Sequence, residues 1–152
     1  MNILIAYATY SGGTQAAAES IAEVLQQHQH TITMKNFKDM QPDDLFAYEA
    51  IIWGSNSWLQ DGKDGQPHQY VTAFMEQLHE RSLQDKPFAV YGLGDSTYAR
   101  FCGAVNHLER FVNELKGTLI VPSLCIDSYY FEQDKNTDLI KKWAEEIAQK
   151  LQ

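Results

Sequence analysis

The sequence predicts one doubly wound α/β domain, 1–152, built on a five-stranded parallel sheet with helices on both faces. Two observations carry that expectation. Apolar runs alternate with helix-period segments from end to end, and no repeat, low-complexity tract or linker interrupts them. Each strand-like run leads into a helix, or a loop and then a helix, which is the connection a parallel sheet with right-handed crossovers requires.

The elements follow in order. Residues 2–7 read as a strand, and Ala18, Ile21, Ala22 and Leu25 then fall at helical spacing. Residues 31–37 alternate Ile32, Met34 and Asn36 against Thr33, Lys35 and Phe37, which predicts a short edge strand, and polar residues 38–48 connect it onward. The run Ala50-Ile51-Ile52-Trp53-Gly54 is a buried strand. A long Asn/Ser/Asp/Gly loop follows to Pro67, and a helix carrying Tyr70, Phe74, Met75 and Leu78 runs through about His79. Phe88-Ala89-Val90-Tyr91 is strand four. After a loop at 92–100, Phe101, Val105, Leu108, Phe111, Val112 and Leu115 mark a helix stopped at Lys116-Gly117. Strand five covers 118–121 and continues at Leu124-Cys125-Ile126. A last helix starts at Asp134 as N-cap and buries Leu139, Trp143, Ile147 and Leu151.

Composition excludes several functional classes. A chain of 152 residues buries about two-thirds of its unfolded surface, so neither metal nor disulfide is needed for stability. No apolar run approaches the ~20 residues that cross a bilayer, and the N-terminus lacks the basic region of a signal peptide. A cytoplasmic location is therefore expected, with Cys102 and Cys125 as free thiols. The formal charge of −8 argues against nucleic acid and for transient docking to basic faces of partner proteins, an attraction that weakens as salt rises. The five histidines are too scattered to predict a metal site.

In such sheets ligands bind outside the carboxyl ends of the strands, which singles out the loops after strands one, three and four. The first, Thr9-Tyr10-Ser11-Gly12-Gly13-Thr14, joins hydroxyls and glycines to a helix N-terminus and reads as an anion site. Residues 1–34 contain no lysine or arginine, which excludes a Walker-type loop and favours one terminal phosphate held by neutral donors. The second, Gly54-Ser55-Asn56-Ser57-Trp58-Leu59-Gln60-Asp61-Gly62, plants a tryptophan among small polar residues. The third, residues 91–102, carries Tyr98 beside Gly92 and Gly94. Two aromatic residues on neighbouring loops can clamp a flat ring, so together the three loops describe a mononucleotide-like ligand.

With these motifs the whole chain resembles the short-chain flavodoxins, small electron carriers that hold flavin mononucleotide (FMN). The resemblance rests on Gly92-Leu93-Gly94-Asp95-Ser96-Thr97-Tyr98 with Arg100-Phe101-Cys102-Gly103-Ala104-Val105 after it. It rests also on the phosphate-loop pattern T-x-[ST]-G-x-T at Thr9, Ser11, Gly12 and Thr14, and on the tryptophan closing residues 55–58. No insertion of roughly 20 residues splits strand five, which marks the short-chain type. The resemblance implies the flavodoxin-like strand order 2-1-3-4-5 and non-covalently bound FMN. Thr9, Tyr10, Ser11, Gly12, Gly13 and Thr14 would bind its phosphate, and Asn56 and Ser57 would line the ribityl chain. Trp58, followed by Leu59 and Gln60, would cover the inner ring face and Tyr98 the outer. The backbone around Leu93, Gly94, Asp95, Phe101 and Cys102 would meet the pyrimidine edge. The thiol of Cys102 itself is read as a small buried side chain. It implies a monomeric low-potential one-electron carrier between a reductase-type donor and acceptor enzymes, with no catalytic residue of its own. An FMN-dependent reductase and a flavin-free module on the same fold are the alternatives. No G-x-G-x-x-G fingerprint supports a nicotinamide site.

The chain departs from the family pattern at Tyr10, at Gly13, where asparagine is common, and at Leu59. Many members have glycine directly after the inner aromatic, at a peptide that turns toward N5 of the one-electron-reduced ring. A leucine forced to positive φ costs roughly 1–2 kcal/mol. Leu59→Gly is therefore expected to raise the yield of one-electron-reduced flavin in a redox titration. An abundant blue intermediate in the unsubstituted protein, unchanged by the substitution, would contradict this.

Overall fold

The computed structural model describes residues 1–9, 12–60, 63–78, 81–94 and 102–152, with only the backbone described at 58–60 and 63–64. Its central sheet contains β1 (Asn2–Ala8), β2 (Thr31–Asn36), β3 (Ala50–Asn56), β6 (Pro87–Gly94), β7 (Thr118–Leu119) and β8 (Leu124–Asp127). A separate antiparallel pair is formed by β4 (Trp58–Gln60) and β5 (Lys63–Gln66). The helices are α1 (Gly13–Gln27), α2 (Gln69–Glu76), α3 (Gly103–Glu114) and α4 (Gln133–Lys150).

All pairings in the central sheet are parallel, in the order β2-β1-β3-β6-β7, with β8 also beside β6. The predicted fifth strand is thus two segments on one neighbour, separated only by residues 120–123. Trp143 closes that break by donating its indole N–H to the Pro122 carbonyl at 2.8 Å.

Alternation of side chains along each strand divides the core in two. Ile3, Ile5, Ala50, Ile52, Ala89, Tyr91 and Ile126 face α1 and α4, whereas Leu4, Ala6, Ile51, Trp53, Phe88 and Val90 face α2 and α3. Burial on both faces explains why the strands read as near-continuous apolar runs. It also leaves polar chemistry to the strand ends. The strand order reverses between β1 and β3, where a doubly wound sheet opens its crevice.

Several expectations are corrected. The long loop to Pro67 contains the β4–β5 hairpin, whose register shifts because the step from Trp58 to Gln60 faces the longer step from Gln66 to Lys63, which puts the extra residue on β5, where Gly65 takes φ 72°. This hairpin packs on α3 so closely that a Cβ at Gly103 would lie 2.5 Å from the Gly65 carbonyl oxygen. Residues 92–94, expected in a loop, continue β6 because β3 pairs with 92 and 93 on one side and β8 with 92–94 on the other. Two 3₁₀ turns, Phe37–Asp39 and Pro42–Phe46, fill most of the connection at 38–48. The N-cap of α4 is Glu132, and Asp134 lies in the first turn. Leu139 is exposed and Ile140 takes the buried place, since the stripe through Trp143 and Ile147 falls at three- and four-residue steps from 140. Tyr70 is exposed on α2, and His79 lies outside the described residues.

Gly54 makes the tightest steric demand in the sheet, because a Cβ there would lie 2.0 Å from Cζ of the wholly buried Tyr91 ring. Gly54→Ala is expected to lower the urea midpoint through a loss of roughly 1–3 kcal/mol, with the denaturant slope unchanged. An unchanged midpoint would mean that Tyr91 can leave that space without loss.

Candidate functional site

The carboxyl ends of β1, β3, β6 and β8 converge on one edge of the sheet. After β1, the Thr9 hydroxyl accepts the Gly12 N–H at 2.8 Å and closes a turn. Gly12 is the N-cap of α1 with φ 90°, a left-handed conformation that glycine adopts without a Cβ penalty. The first intrahelical bond runs from Ala16 N–H to the Gly12 carbonyl at 2.9 Å, so the N–H groups of residues 13–15 precede the helical ladder. No acidic residue lies in that first turn to repel an anion. Thr14 is 1% exposed, and its Oγ1 is buried without a hydrogen-bond partner among the described residues.

Tyr91 fixes this turn from below by donating its hydroxyl to the Thr14 carbonyl at 2.9 Å. Burial pushes the phenol well above the ordinary tyrosine range, so it stays a protonated donor.

At the end of β3, Ser55 is fully buried. Its hydroxyl donates to the Asn56 carbonyl at 2.9 Å and accepts the His68 N–H at 3.0 Å, closing the base of the β4–β5 hairpin. Asn56 Oδ1 is a second buried oxygen without a partner among the described residues. Ser57 is engaged on both sides. Its N–H donates to the Leu93 carbonyl at 2.8 Å, and its Oγ accepts the Ala104 N–H at 3.0 Å, satisfying one of the first N–H groups of α3.

Leu93 and Gly94 end β6, and Cys102 begins α3 with φ 58°, buried at 2% exposure. A hydrogen bond with Cys125 and burial push the Cys102 thiol up, which keeps it neutral. Both cysteines are free. Tyr10, Ser11, Asp95, Tyr98 and Phe101 lie outside the described residues, as do Asp61 and the side chains of Trp58, Leu59 and Gln60. The structure therefore gathers Thr9, Gly12, Gly13, Thr14, Asn56, Ser57, Leu93, Gly94 and Cys102 around one end of the sheet. Among the described residues no cluster of three metal-ligating side chains occurs.

Sequence reasoning missed a fourth loop. The Ser128 N–H donates to the Gly94 carbonyl at 2.9 Å, drawing the segment after β8 into the same edge. The aromatic run Tyr129-Tyr130-Phe131 directly after a strand's carboxyl end was the available signal.

This arrangement offers neutral donors for an anion at α1 and, at the end of β3, an amide oxygen for a hydroxyl-bearing chain. A family model described as Flavodoxin matches residues 5–151. A flavodoxin of Maridesulfovibrio salexigens is 31% identical over 149 residues, covering 97% of each chain. The crystal structure of oxidised Flavodoxin 2 from Bacillus cereus superposes with a TM-score of 0.89 at 31% identity, covering 99% of both chains. A Fusobacterium nucleatum flavodoxin variant bound to flavin mononucleotide has the same fold, with a TM-score of 0.83 at 20% identity, covering 97% of this chain and 95% of that one.

His68 gives the site region a pH dependence. It is the buried N-cap of α2, and its Nδ1 accepts the Tyr70 N–H at 3.0 Å. Burial pushes the imidazole below its ordinary value, so the unfolded chain binds protons more readily than the folded one. The stability gained is complete above the unfolded value of about 6.5 and is lost as pH falls toward the lower folded one. The urea midpoint is expected to decline between about pH 7 and 5, and His68→Asn, which keeps a capping acceptor, to flatten part of that decline. His30, also lowered by burial, accounts for another part. An unaltered slope in the variant would remove His68 as a cause.

Proposed function

Because the chain belongs to the flavodoxin family, we propose that it is a low-potential one-electron carrier working through non-covalently bound FMN. The observation that carries this reading is the pair of buried oxygens without a partner among the described residues, Thr14 Oγ1 in the first turn of α1 and Asn56 Oδ1 at the end of β3, on the two sides of the topological reversal. Buried polar atoms are costly unless matched, and these two suit a phosphate and a polyol hydroxyl respectively. The residues fit the cofactor.

When bound, FMN supplies the redox chemistry by accepting and releasing electrons singly. The chain's own task is to bind, orient and shield. Thr9, Tyr10, Ser11, Gly12, Gly13 and Thr14 hold the phosphate by hydroxyls, amides and the positive end of α1. Asn56 and Ser57 line the ribityl chain, and the hydroxyl proton of Ser57 is free to donate while its oxygen caps α3. Trp58 and Tyr98 would bracket the ring, with Leu59 and Gln60 along it. The backbone at Leu93, Gly94, Asp95, Phe101 and Cys102 meets its pyrimidine edge. Asp61, Asp64 and Asp95, which neighbour the two loop aromatics in the sequence, would disfavour added negative charge on the ring and so lower its second potential.

The same reading makes residues 1–152 a single domain and the protein a monomer of the cytoplasm. No described helix is long and apolar enough to cross a membrane. The net charge of −8 favours docking to basic faces of a reductase-type donor and of acceptor enzymes. The short break at 120–123 fits the short-chain form of the family.

The visible spectrum of the purified protein is the decisive measurement, with a flavin band expected. Thr14→Val should weaken FMN binding about 10- to 100-fold while leaving riboflavin, which lacks the phosphate, nearly unaffected. A colourless protein that takes up no FMN on reconstitution would end this reading. NAD(P)H oxidation without an added reductase would put an FMN-dependent reductase in its place.

A further inference from the structure

The loop after β8 brings an aromatic hydroxyl to the phosphate end of the site. A Cβ placed at Gly13 would lie 3.4 Å from the Tyr130 hydroxyl oxygen and 3.4 Å from its ring Cε2, and one at Gly12 would lie 3.6 Å from the same oxygen. Tyr130 therefore stands against the two glycines at the N-terminus of α1. A side chain at position 13 would meet Tyr130 on one side and Leu93 Cδ2, at 2.8 Å, on the other. The phenol thus lies within van der Waals reach of both glycine positions.

The loop that carries Tyr130 is tightly held. Asn136, buried in α4, donates from Nδ2 to the carbonyls of Asp127 and Tyr129, each at 3.3 Å. The Ser128 N–H reaches the Gly94 carbonyl at 2.9 Å, and the Phe131 N–H reaches the Ser128 carbonyl at 3.0 Å. Ser128 takes φ 48°, a left-handed conformation uncommon for a residue with a Cβ, and turns the chain back over the sheet edge. Tyr129 is buried beneath, with its ring 5.2 Å from that of Tyr130 at 82°. Tyr130 itself is half-exposed and so forms an outer wall.

We infer that Tyr130 is a phosphate-binding residue of this protein, its hydroxyl donating to a terminal phosphate monoester seated on the first turn of α1. The inference rests on the flavin-carrier reading and adds a residue that lies outside the phosphate-loop pattern. Thr14 Oγ1, buried and unpartnered in the same first turn, independently marks where the ligand's oxygens belong. The chemistry is consistent. The first 34 residues hold no lysine or arginine, so the dianion depends on the number of neutral donors it meets. A phenol supplies one more, on a ring with few rotatable bonds that also limits access of water. The contribution is selective for phosphorylated flavin, because riboflavin ends in a neutral hydroxyl too short to reach the same donors.

The test compares FMN and riboflavin binding to the apoprotein by quenching of flavin fluorescence, in the unsubstituted protein and in Tyr130→Phe. The phenylalanine keeps the ring and the wall, and equal urea midpoints verify the fold. The expected result is about a five- to tenfold weaker affinity for FMN, with riboflavin unchanged. Equal loss for both flavins, or none for either, in a protein that binds FMN before substitution overturns the role of Tyr130. Failure of the unsubstituted protein to bind FMN at all overturns instead the reading on which it rests.

Discussion

A buried hydroxyl at the centre of the sheet decides how the rest is arranged. Tyr91 occupies the space that Gly54 leaves open, lies edge-on to Trp143 at 5.9 Å, and ends on the Thr14 carbonyl. One side chain thus touches the sheet, α4 and the first turn of α1. The Thr14 carbonyl has a second lone pair, so it can accept the phenol without giving up its helical bond. This sets the height of the α1 N-terminus above the sheet, and with it the position of every donor in that turn. The phenol needs the missing side chain at 54, and the orientation of Thr14 needs the phenol.

Polar groups near this edge fall into two sets. Ser55, Ser57 and His68 use their hydrogen bonds within the protein, closing the hairpin, linking it to β6 and supporting the starts of α2 and α3. Thr14 Oγ1 and Asn56 Oδ1 do not. Satisfied groups make the edge rigid, and rigidity lets the unsatisfied ones stay aimed at one place. An acidic chain with an anion to hold gains from this division, since neutral donors fixed in advance lose little entropy on binding and need no attractive field from the whole protein.

The strands and helices were legible because burial on both sheet faces writes apolar runs and 3.6-residue stripes into the chain. The hairpin was not. Its residues are small and polar, and its backbone is held by tertiary contact, with Gly103 admitting the Gly65 carbonyl. The extension of β6 through Leu93 and Gly94 was equally hidden, because it depends on β3 and β8 arriving on its two sides. At the site, Thr9, Gly12 and Thr14 announced an anion turn by residue type, but Thr9 closing the turn on Gly12 is a fact of geometry. Ser57 read simply as a lining residue, although its oxygen also supports α3. Tyr91 read as the end of strand four, and nothing local revealed that its hydroxyl ends at Thr14. Residues whose roles are fixed by local spacing can be found in a sequence, whereas those fixed by a partner far along the chain cannot.

That distinction bears on how the site is assembled. The Tyr91–Thr14 bond spans 77 positions, and the loop after β8 joins β6 through Ser128 and Gly94 near the other end of the chain. Contacts of such separation carry a loop-closure cost that local contacts do not, so the donors at α1 reach their final places once β6 has joined the sheet. Each buried oxygen left unmatched in that finished state carries a desolvation cost on the order of 1–3 kcal/mol. A ligand that matches them binds the folded chain and not the unfolded one, and its binding energy adds to the stability of the fold. The first turn of α1 thus depends on a distant contact and gains stability when its buried oxygen is matched. Both properties follow from placing an anion site without basic residues at the seam of a parallel sheet.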